Sequence, residues 1–350
     1  MNIQKELIAG LENEKEYMGD SKPVNCITPL VSVTVTTYQH KNYIKDCLES
    51  ILMQEVNFPI EIIIGEDESI DGTRDICLEY AKKHPDKIRL FLRDRKTSHL
   101  YNDKGNSVMR FNGWWTRMSA RGKYISMCEG DDYWTDPHKL QTQVDFLEGH
   151  NDCMLCFHRA QILREMGSRL PEFYPERKPK EFVGIEEILE CNFIATASVV
   201  FRREMLREFP DWMYRFVFAD WAINLFCAQY GKIGYIDRVM SVYRVHPGGI
   251  WTSQYTSVGG RLNADTKILE FYEAAANYLD KKYRHIVDRR LIDLCSTIAR
   301  TYCQLGQKQK ALECLKRIIG VILKSTGISL KQRSKFVIKA VKLALRIALT

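Results

Sequence analysis

Glu129, Asp131 and Asp132 place three carboxylates within four residues, directly after the apolar run at 124–128. Carboxylates that close repel one another and stay ionised together only when a cation is shared among them. Hard oxygen donors at the end of an apolar strand suit Mg²⁺ or Mn²⁺, each held by one or two protein carboxylates while substrate phosphates fill the remaining positions. A solvated acidic turn would have the same composition, so the neighbouring segments must decide. Two further polar clusters end apolar runs: Thr36-Thr37-Tyr38 after the run from 31, and Glu66-Asp67-Glu68-Ser69 after 60–65.

The elements that must position these clusters follow from periodicity. Residues 31–38 alternate and are β-branched, which predicts a strand. Ile44, Cys47, Leu48, Ile51 and Leu52 lie at helical spacing within 43–54. Short apolar strands are predicted at 60–65, 87–92 and 124–128, with helices after Asp71-Gly72-Thr73 and over 107–120. Strands alternating with helices predict an α/β fold, a mostly parallel Rossmann-like sheet wrapped by helices. Ligands of such sheets bind beyond the carboxyl ends of the strands. All three clusters are therefore expected on one rim.

Together these motifs resemble the nucleotide-sugar-binding half of family 2 glycosyltransferases, which have the GT-A fold; the resemblance runs from about residue 31 to 251. Thr36-Thr37-Tyr38 is similar to the family's Pro-Thr-Tyr, and the segment 66–73 to its Asp-Asp-Gly-Ser-x-Asp-Gly-Thr. Glu129-Gly130-Asp131 resembles the metal-binding Asp-x-Asp, followed by the familiar Tyr133-Trp134, Pro137, Lys139-Leu140 and Gln143. Glu68 stands where Gly is usual, and Glu129 where the first Asp is usual. The resemblance implies nucleotide binding by Thr36, Tyr38, Asp67, Glu129 and Asp131. Metal binding is implied for Asp131, with Asp132 beside it, and Glu129 for ribose or water.

The middle of the chain supplies an acceptor side. Residues 152–165 read as a strand pair, 166–182 as a mobile loop, and 192–203 as another strand similar to the family's acceptor segment. Asp220, in Phe218-Ala219-Asp220-Trp221, matches the Asp that heads a helix and acts as general base; a helix cap alone is the alternative. Tyr243-Arg244-Val245-His246-Pro247-Gly248-Gly249 resembles the segment closing many such domains, which implies that His246 completes the metal shell or donates to the diphosphate. Trp114 and Trp115 read as core, and Lys104 and Arg121 as weaker candidates for phosphate.

The 350 residues exceed one ordinary domain. Residues 1–30 read as a polar helix and linker, 31–255 as the GT-A domain and 256–350 as a C-terminal helical extension containing one tetratricopeptide-like hairpin. Eleven cysteines lack framework spacing, and Cys153 and Cys156 form a single C-x₂-C, so buried reduced thiols in a cytoplasmic protein are expected. No run approaches the ~20 apolar residues of a membrane-crossing helix.

Residues 306–350 hold 11 Lys/Arg and one Glu, net +10, so the remainder carries 7 − 10 = −3. Lys331, Lys335, Lys339, Lys342 and Arg346 form one helical stripe beside the apolar Phe336, Val337, Ala340, Val341, Leu343, Ala344, Ile347 and Ala348. That pattern predicts either a peripheral contact with an anionic membrane on its cytoplasmic face or packing on the protein's own core. Nucleic acid is not an expected partner. The expected activity is inverting, metal-dependent transfer from a nucleoside diphosphate-sugar, UDP-sugar first, to a hydroxyl of a glycan or lipid-linked acceptor in surface polysaccharide synthesis. A sugar-nucleotide pyrophosphorylase would need a Gly-rich loop after the first strand, which is lacking; a non-catalytic transferase-like scaffold is the other alternative.

Overall fold

The computed structural model describes residues 3–17, 28–101, 107–165, 167, 171–207, 209–216, 218–325 and 330–349, which fall into two compact units, Met1–Val245 and His246–Thr350. The first is built on strands Glu16–Tyr17 (β1), Val31–Thr37 (β2), Ile60–Glu66 (β3), Ile88–Leu92 (β4), His99–Tyr101 (β5), Ser107–Arg110 (β6) and Tyr124–Met127 (β7). It continues with Tyr133–Trp134 (β8), Cys153–Arg164 (β9), Glu172–Tyr174 (β10), Phe182–Val183 (β11), Val200–Arg202 (β12) and Lys232–Val245 (β13). Its helices are Ile3–Glu12 (α1), Ile44–Leu52 (α2), Thr73–Lys83 (α3), Arg95–Ser98 (α4), Asn112–Met118 (α5), Lys139–Gly149 (α6), Ile185–Glu190 (α7) and Ala219–Tyr230 (α8).

Both faces of β2 and β3 are buried, Val31, Val33 and Val35 on one face of β2 with Ser32 and Thr34 on the other, and Ile62, Ile63 and Ile64 on the two faces of β3, as a strand covered on both sides requires. Ile44, Cys47, Leu48 and Ile51 form the buried stripe of α2 and join Val33, Val35, Ile62 and Ile64 in one core. Full burial of each such aliphatic side chain contributes about 1.5–3 kcal/mol. The main sheet is ordered β1-β4-β3-β2-β7-β12-β9-β13-β11. β4, β3, β2 and β7 are mutually parallel, β12 runs antiparallel to β7 and β9, and β13 is parallel to β9. The chain moves outward from β2 through β3 to β4, then returns to add β7 on the other side of β2. The gap between the β2 and β7 ends is thus a topological switch point, where open α/β sheets bind ligands.

Four local expectations need correction. The helix expected over 107–120 is a strand, β6, paired with β5, followed by the shorter α5. Asn112 opens that helix with its side chain donating to the Gly65 carbonyl of β3 (3.1 Å), a tertiary tie that fixes where the helix starts. The expected strand pair at 152–165 is one continuous strand, β9, since no turn residue interrupts it. Within 192–203 only Val200–Arg202 pairs; Thr196–Ser198 is a 3₁₀ turn in which Ser198 Oγ donates to the Ala195 carbonyl (2.6 Å). In the expected loop 166–182, β10 and β11 are ordered strands; residues 166 and 168–170 lie outside the described residues.

The N-terminal segment is stapled into the first unit instead of standing apart. The Trp115 indole donates to the Leu7 carbonyl (2.9 Å), and Arg93 and Arg89 pair with Glu14 and Glu16 at 2.6 and 2.8 Å. The second unit begins at His246 rather than after residue 255 and contains Ile250–Tyr255 (α9), Val258–Tyr278 (α10), Arg284–Gln304 (α11), Lys308–Lys324 (α12) and Leu330–Leu349 (α13). α11 and α12 form a hairpin that turns at Gly306, whose φ of 67° is left-handed and favours glycine.

α13 packs on α12 and α11 through buried Ala340, Leu343 and Ile347, and Lys339 pairs with Asp293 of α11 at 2.5 Å. Packing therefore takes part of the predicted apolar face and one stripe lysine. Val337, Ile338, Val341 and Leu345 remain exposed. Among the described residues, no helix is long and apolar enough to cross a membrane.

Candidate active site

β2 delivers Thr36 and β7 leads to Glu129, one on each side of the switch point, and the Thr36 hydroxyl donates directly to the Glu129 carboxylate. The approach is close because Gly130 has no side chain: a Cβ there would lie 2.7 Å from Thr37 Oγ1 and 2.9 Å from His40 Nδ1. Burial pushes the Glu129 carboxyl up, opposed by the Arg117 charge and the Thr36 hydrogen bond.

On the β3 side, Asp67 is buried. Its Oδ1 accepts from Ser98 Oγ (2.7 Å), its Oδ2 lies 2.9 Å from His99 Nε2, and Arg95 Nη1 is 3.6 Å away. Burial alone would raise this carboxyl, but His99, Ser98 and Arg95 outweigh it and hold the pKa below the usual range. The Arg95 guanidinium lies 3.9 Å from the ring centroid of half-exposed Tyr38, a planar cation–aromatic pair beside a buried acid. Loop ties fix this corner. Asp71 accepts from Thr73 and, at 3.0 Å, from the Lys41 amide; Gln39 Oε1 accepts the Ile70 and Asp71 amides at 3.1 Å. Glu68, standing where the resembling family has Gly, adopts a left-handed φ of 61°, and its carboxylate accepts the Arg95 amide (2.9 Å).

The two adjacent aspartates separate. Asp131 is half-buried, with His40 Nε2 3.8 Å from its Oδ2. Asp132 turns inward and accepts the Arg244 backbone N–H (2.9 Å), tying the acidic turn to β13. Burial, then the neighbouring Asp131 charge, push the Asp132 carboxyl well up. Arg244 completes the tie, donating to the Asp131 carbonyl (3.3 Å) and lying over the Tyr43 and Tyr133 rings.

Asp220 is the second residue of α8, with Phe218 as the cap residue. Its Oδ2 accepts from Asn192 Nδ2 (2.9 Å). Burial raises its pKa, opposed by the Trp221 N–H, Asn192 and the Arg117 charge. Arg117, on α5, lies 3.6 Å from Glu129.

His40, Arg95, His99, Arg117 and Asn192 were not singled out by residue pattern. His40, two residues beyond Tyr38 on the strand-end turn, carried the one available signal; the others arrive from distant elements. Arg121 does not reach this rim. It pairs with Glu61 (2.8 Å), the second residue of β3 at the other end of the strand. Lys104 lies outside the described residues. Trp114 and Trp115 are buried in the core, Trp114 against Phe209 and Tyr214. Cys153 and Cys156 are buried free thiols on β9. His246 is buried and follows β13 by one peptide bond; its carbonyl accepts the Gly249 amide (3.1 Å).

Residues 29–235 match the family described as Glycosyltransferase like family 2, and the chain belongs to that family. An uncharacterized protein of Mycobacterium bovis is 35% identical over 226 residues, 65% of this chain and 62% of that protein, so the match spans less than two thirds of that relative. The putative teichuronic acid biosynthesis glycosyltransferase TuaG of Bacillus subtilis is 29% identical over 229 residues, covering 65% of this chain and 83% of TuaG. Among solved structures, the mannosyltransferase PcManGT from Pyrobaculum calidifontis, in complex with GDP-Man and Mn²⁺, has a similar fold. The TM-score is 0.52 at 15% identity, covering 99% of this chain and 94% of that one. The sheet with its switch point is therefore a GT-A-like fold.

Proposed function

We propose that this chain is an inverting glycosyltransferase that moves a sugar from a nucleoside diphosphate donor, a UDP-sugar in the first instance, to a hydroxyl of a glycan or lipid-linked acceptor. The observation that carries the reading is the division of labour on one rim. A buried, ionised Asp67 sits beside the Tyr38–Arg95 pair, Asp131 faces His40, and Asp220 stands apart with a raised proton affinity.

In this reading Tyr38, Arg95 and Asp67 take the nucleobase, and Thr36 and Glu129 the ribose. Asp131 and His40 would hold the divalent cation. His246, which follows the strand that anchors Asp132, is proposed as a further ligand, and Asp132 as a residue that orients Asp131. A carboxylate with imidazole fits Mn²⁺ better than Mg²⁺, which prefers an all-oxygen shell. A cation held there supplies Lewis-acid neutralisation of charge on the departing diphosphate. Asp220 accepts the acceptor's hydroxyl proton while that oxygen bonds to the anomeric carbon from the face opposite the diphosphate. The bond between anomeric carbon and diphosphate oxygen breaks in the same step, the nucleoside diphosphate leaves with the bonding pair, and configuration inverts.

Donor hydrolysis across UDP-glucose, UDP-N-acetylglucosamine, UDP-galactose and GDP-mannose, with and without Mn²⁺, tests the reading. Metal-stimulated turnover of at least one donor with an inverted product by NMR is expected. A retained anomer would refute the single displacement, and failure of every donor would favour the scaffold alternative. The name of the TuaG relative supports a place in surface polysaccharide synthesis.

We also propose that the exposed face of α13 rests on an anionic membrane surface. Val337, Ile338, Val341 and Leu345 are exposed on the same helix as Lys331, Lys335, Lys342 and Arg346, and α13 carries no acidic residue.

A further inference from the structure

Arg117 is a buried cation beside Glu129. It lies on α5, its side chain is 6% exposed, and Nη2 is 3.6 Å from Glu129 Oε1. Its Nε donates to Met127 Sδ (3.3 Å), and the guanidinium is 5.6 Å from the Trp114 ring centroid. A thioether is a weak acceptor for a desolvated guanidinium, so packing alone gives little reason for a charge here. Burial works to lower the Arg117 pKa, and only the charges of Glu129 and Asp220 work against it. Space is kept for the group: a Cβ at Gly113 would come within 2.7 Å of Arg117 Nη1.

We propose that Arg117 is a positioning residue for sugar transfer, one buried charge that fixes the Glu129 carboxylate on the donor side and compensates the Asp220 carboxylate on the acceptor side. Glu129 is then bracketed by Thr36 on one oxygen and Arg117 on the other, which sets its orientation before donor arrives. The same cation favours the ionised, proton-accepting form of Asp220. Among the described residues, Glu129, Tyr174 and Tyr243 also feel the Asp220 charge; both phenols are pushed up, first by burial, and stay neutral. Arg117 is thus the cation that offsets the burial of Asp220 in this set. The inference rests on the transferase reading of Asp220.

The test is the pH profile of kcat/KM for donor hydrolysis with Mn²⁺, in which water takes the acceptor's place. The variants are Arg117→Met, Arg117→Gln and Arg117→Lys. In the two neutral variants the acid limb should move to higher pH, because Asp220 loses its compensating charge, and donor KM should rise because Glu129 loses the group 3.6 Å from its Oε1. Arg117→Lys should restore the limb, since charge is retained, while KM stays raised because the planar fork is lost. An unmoved acid limb in an active neutral variant overturns the inference and leaves the transferase reading standing. Failure of both neutral variants to fold while Arg117→Lys folds would make Arg117 a structural cation and equally overturn it. Loss of the inference through the underlying reading looks different: Asp220→Asn would then hydrolyse donor at the normal rate.

Discussion

Replacing Asp220 by Asn separates a proton acceptor from a helix-terminus residue. The change keeps side-chain volume and removes the charge and one acceptor. Asp220 receives hydrogen bonds from Asn192 (2.9 Å) and from the Trp221 backbone N–H. The amide oxygen of Asn can keep one of these; the other donor turns to water at this half-buried site. The loss should cost about 1 kcal/mol, the scale of one hydrogen bond, and lower Tm by ~2–4 °C. Catalysis should suffer far more. Positioned general-base help is worth about 10²–10⁴ in rate, or ~3–5.5 kcal/mol of barrier. Because burial raises the Asp220 pKa, the wild-type rate should fall as pH drops through a value above the ordinary carboxylate range, and that limb should vanish in the variant. Single-turnover transfer gives the rate, and calorimetric titration with UDP and Mn²⁺ gives donor-side binding, expected near wild type. An Asn variant that transfers at the normal rate would refute the base assignment and leave Asp220 a structural residue of the α8 start.

Asp131→Asn should weaken Mn²⁺-dependent UDP binding in calorimetry and reduce turnover by about 10²–10³, with a milder loss for Glu129→Gln; unchanged metal-dependent affinity would remove Asp131 from the ligand set. Lys139 is fully buried with Nζ 4.0 Å from the Trp134 ring centroid, and burial lowers its pKa to about 7. Between that value and ~10.4 the unfolded chain holds a proton the folded one lacks, so this residue's stability penalty is full below about pH 7 and fades as pH rises. Lys139→Met should therefore stabilise most at pH 6, by up to roughly 4 kcal/mol, and little near pH 10; chemical denaturation that shows a pH-independent difference would contradict this. The exposed cations of α13, each worth about 1 kcal/mol near an anionic surface, predict co-sedimentation with phosphatidylglycerol vesicles that weakens as salt rises. Val341→Asp with Leu345→Asp, at positions 53% and 61% exposed, should abolish that binding without loss of Tm, and equal binding by the double variant would show that this face is not the contact.

The parallel half of the sheet was legible because its strands are buried on both faces and their apolar runs end abruptly on polar residues. Thr36, Asp67 and Glu129 fell on one rim for that reason alone. What periodicity could not show was set by single side chains. Asn112 ties its helix start to Gly65, and Ser198 bends the chain within 192–203, where a strand was expected. β1 is two residues long, too short for any pattern; it pairs antiparallel with β4 and is held there by ion pairs of Glu14 and Glu16 with arginines on and beside β4. The basic stripe of α13 was visible, but not that Asp293 takes Lys339 or that Ala340, Leu343 and Ile347 turn inward.

The acidic cluster shows where residue types stop being informative. Glu129, Asp131 and Asp132 were legible as three carboxylates on one turn, and their spacing gave no means of telling them apart. Partners far along the chain do so: Thr36 and Arg117 for Glu129, His40 for Asp131, and the Arg244 amide for Asp132. The last contact is a backbone hydrogen bond, so no substitution pattern at Arg244 would have betrayed it. Its consequence is functional. A buried Asp132 that spends one oxygen on β13 anchors the turn and leaves Asp131 facing the rim, so removing Asp132 should disturb the placement of Asp131 rather than simply delete a ligand. Glycine at 130 is required by the same arrangement, because the turn must pass within van der Waals contact of Thr37 and His40. The motif is therefore a short piece of folded geometry as much as a set of charges, and its chemistry depends on the strand it is tied to.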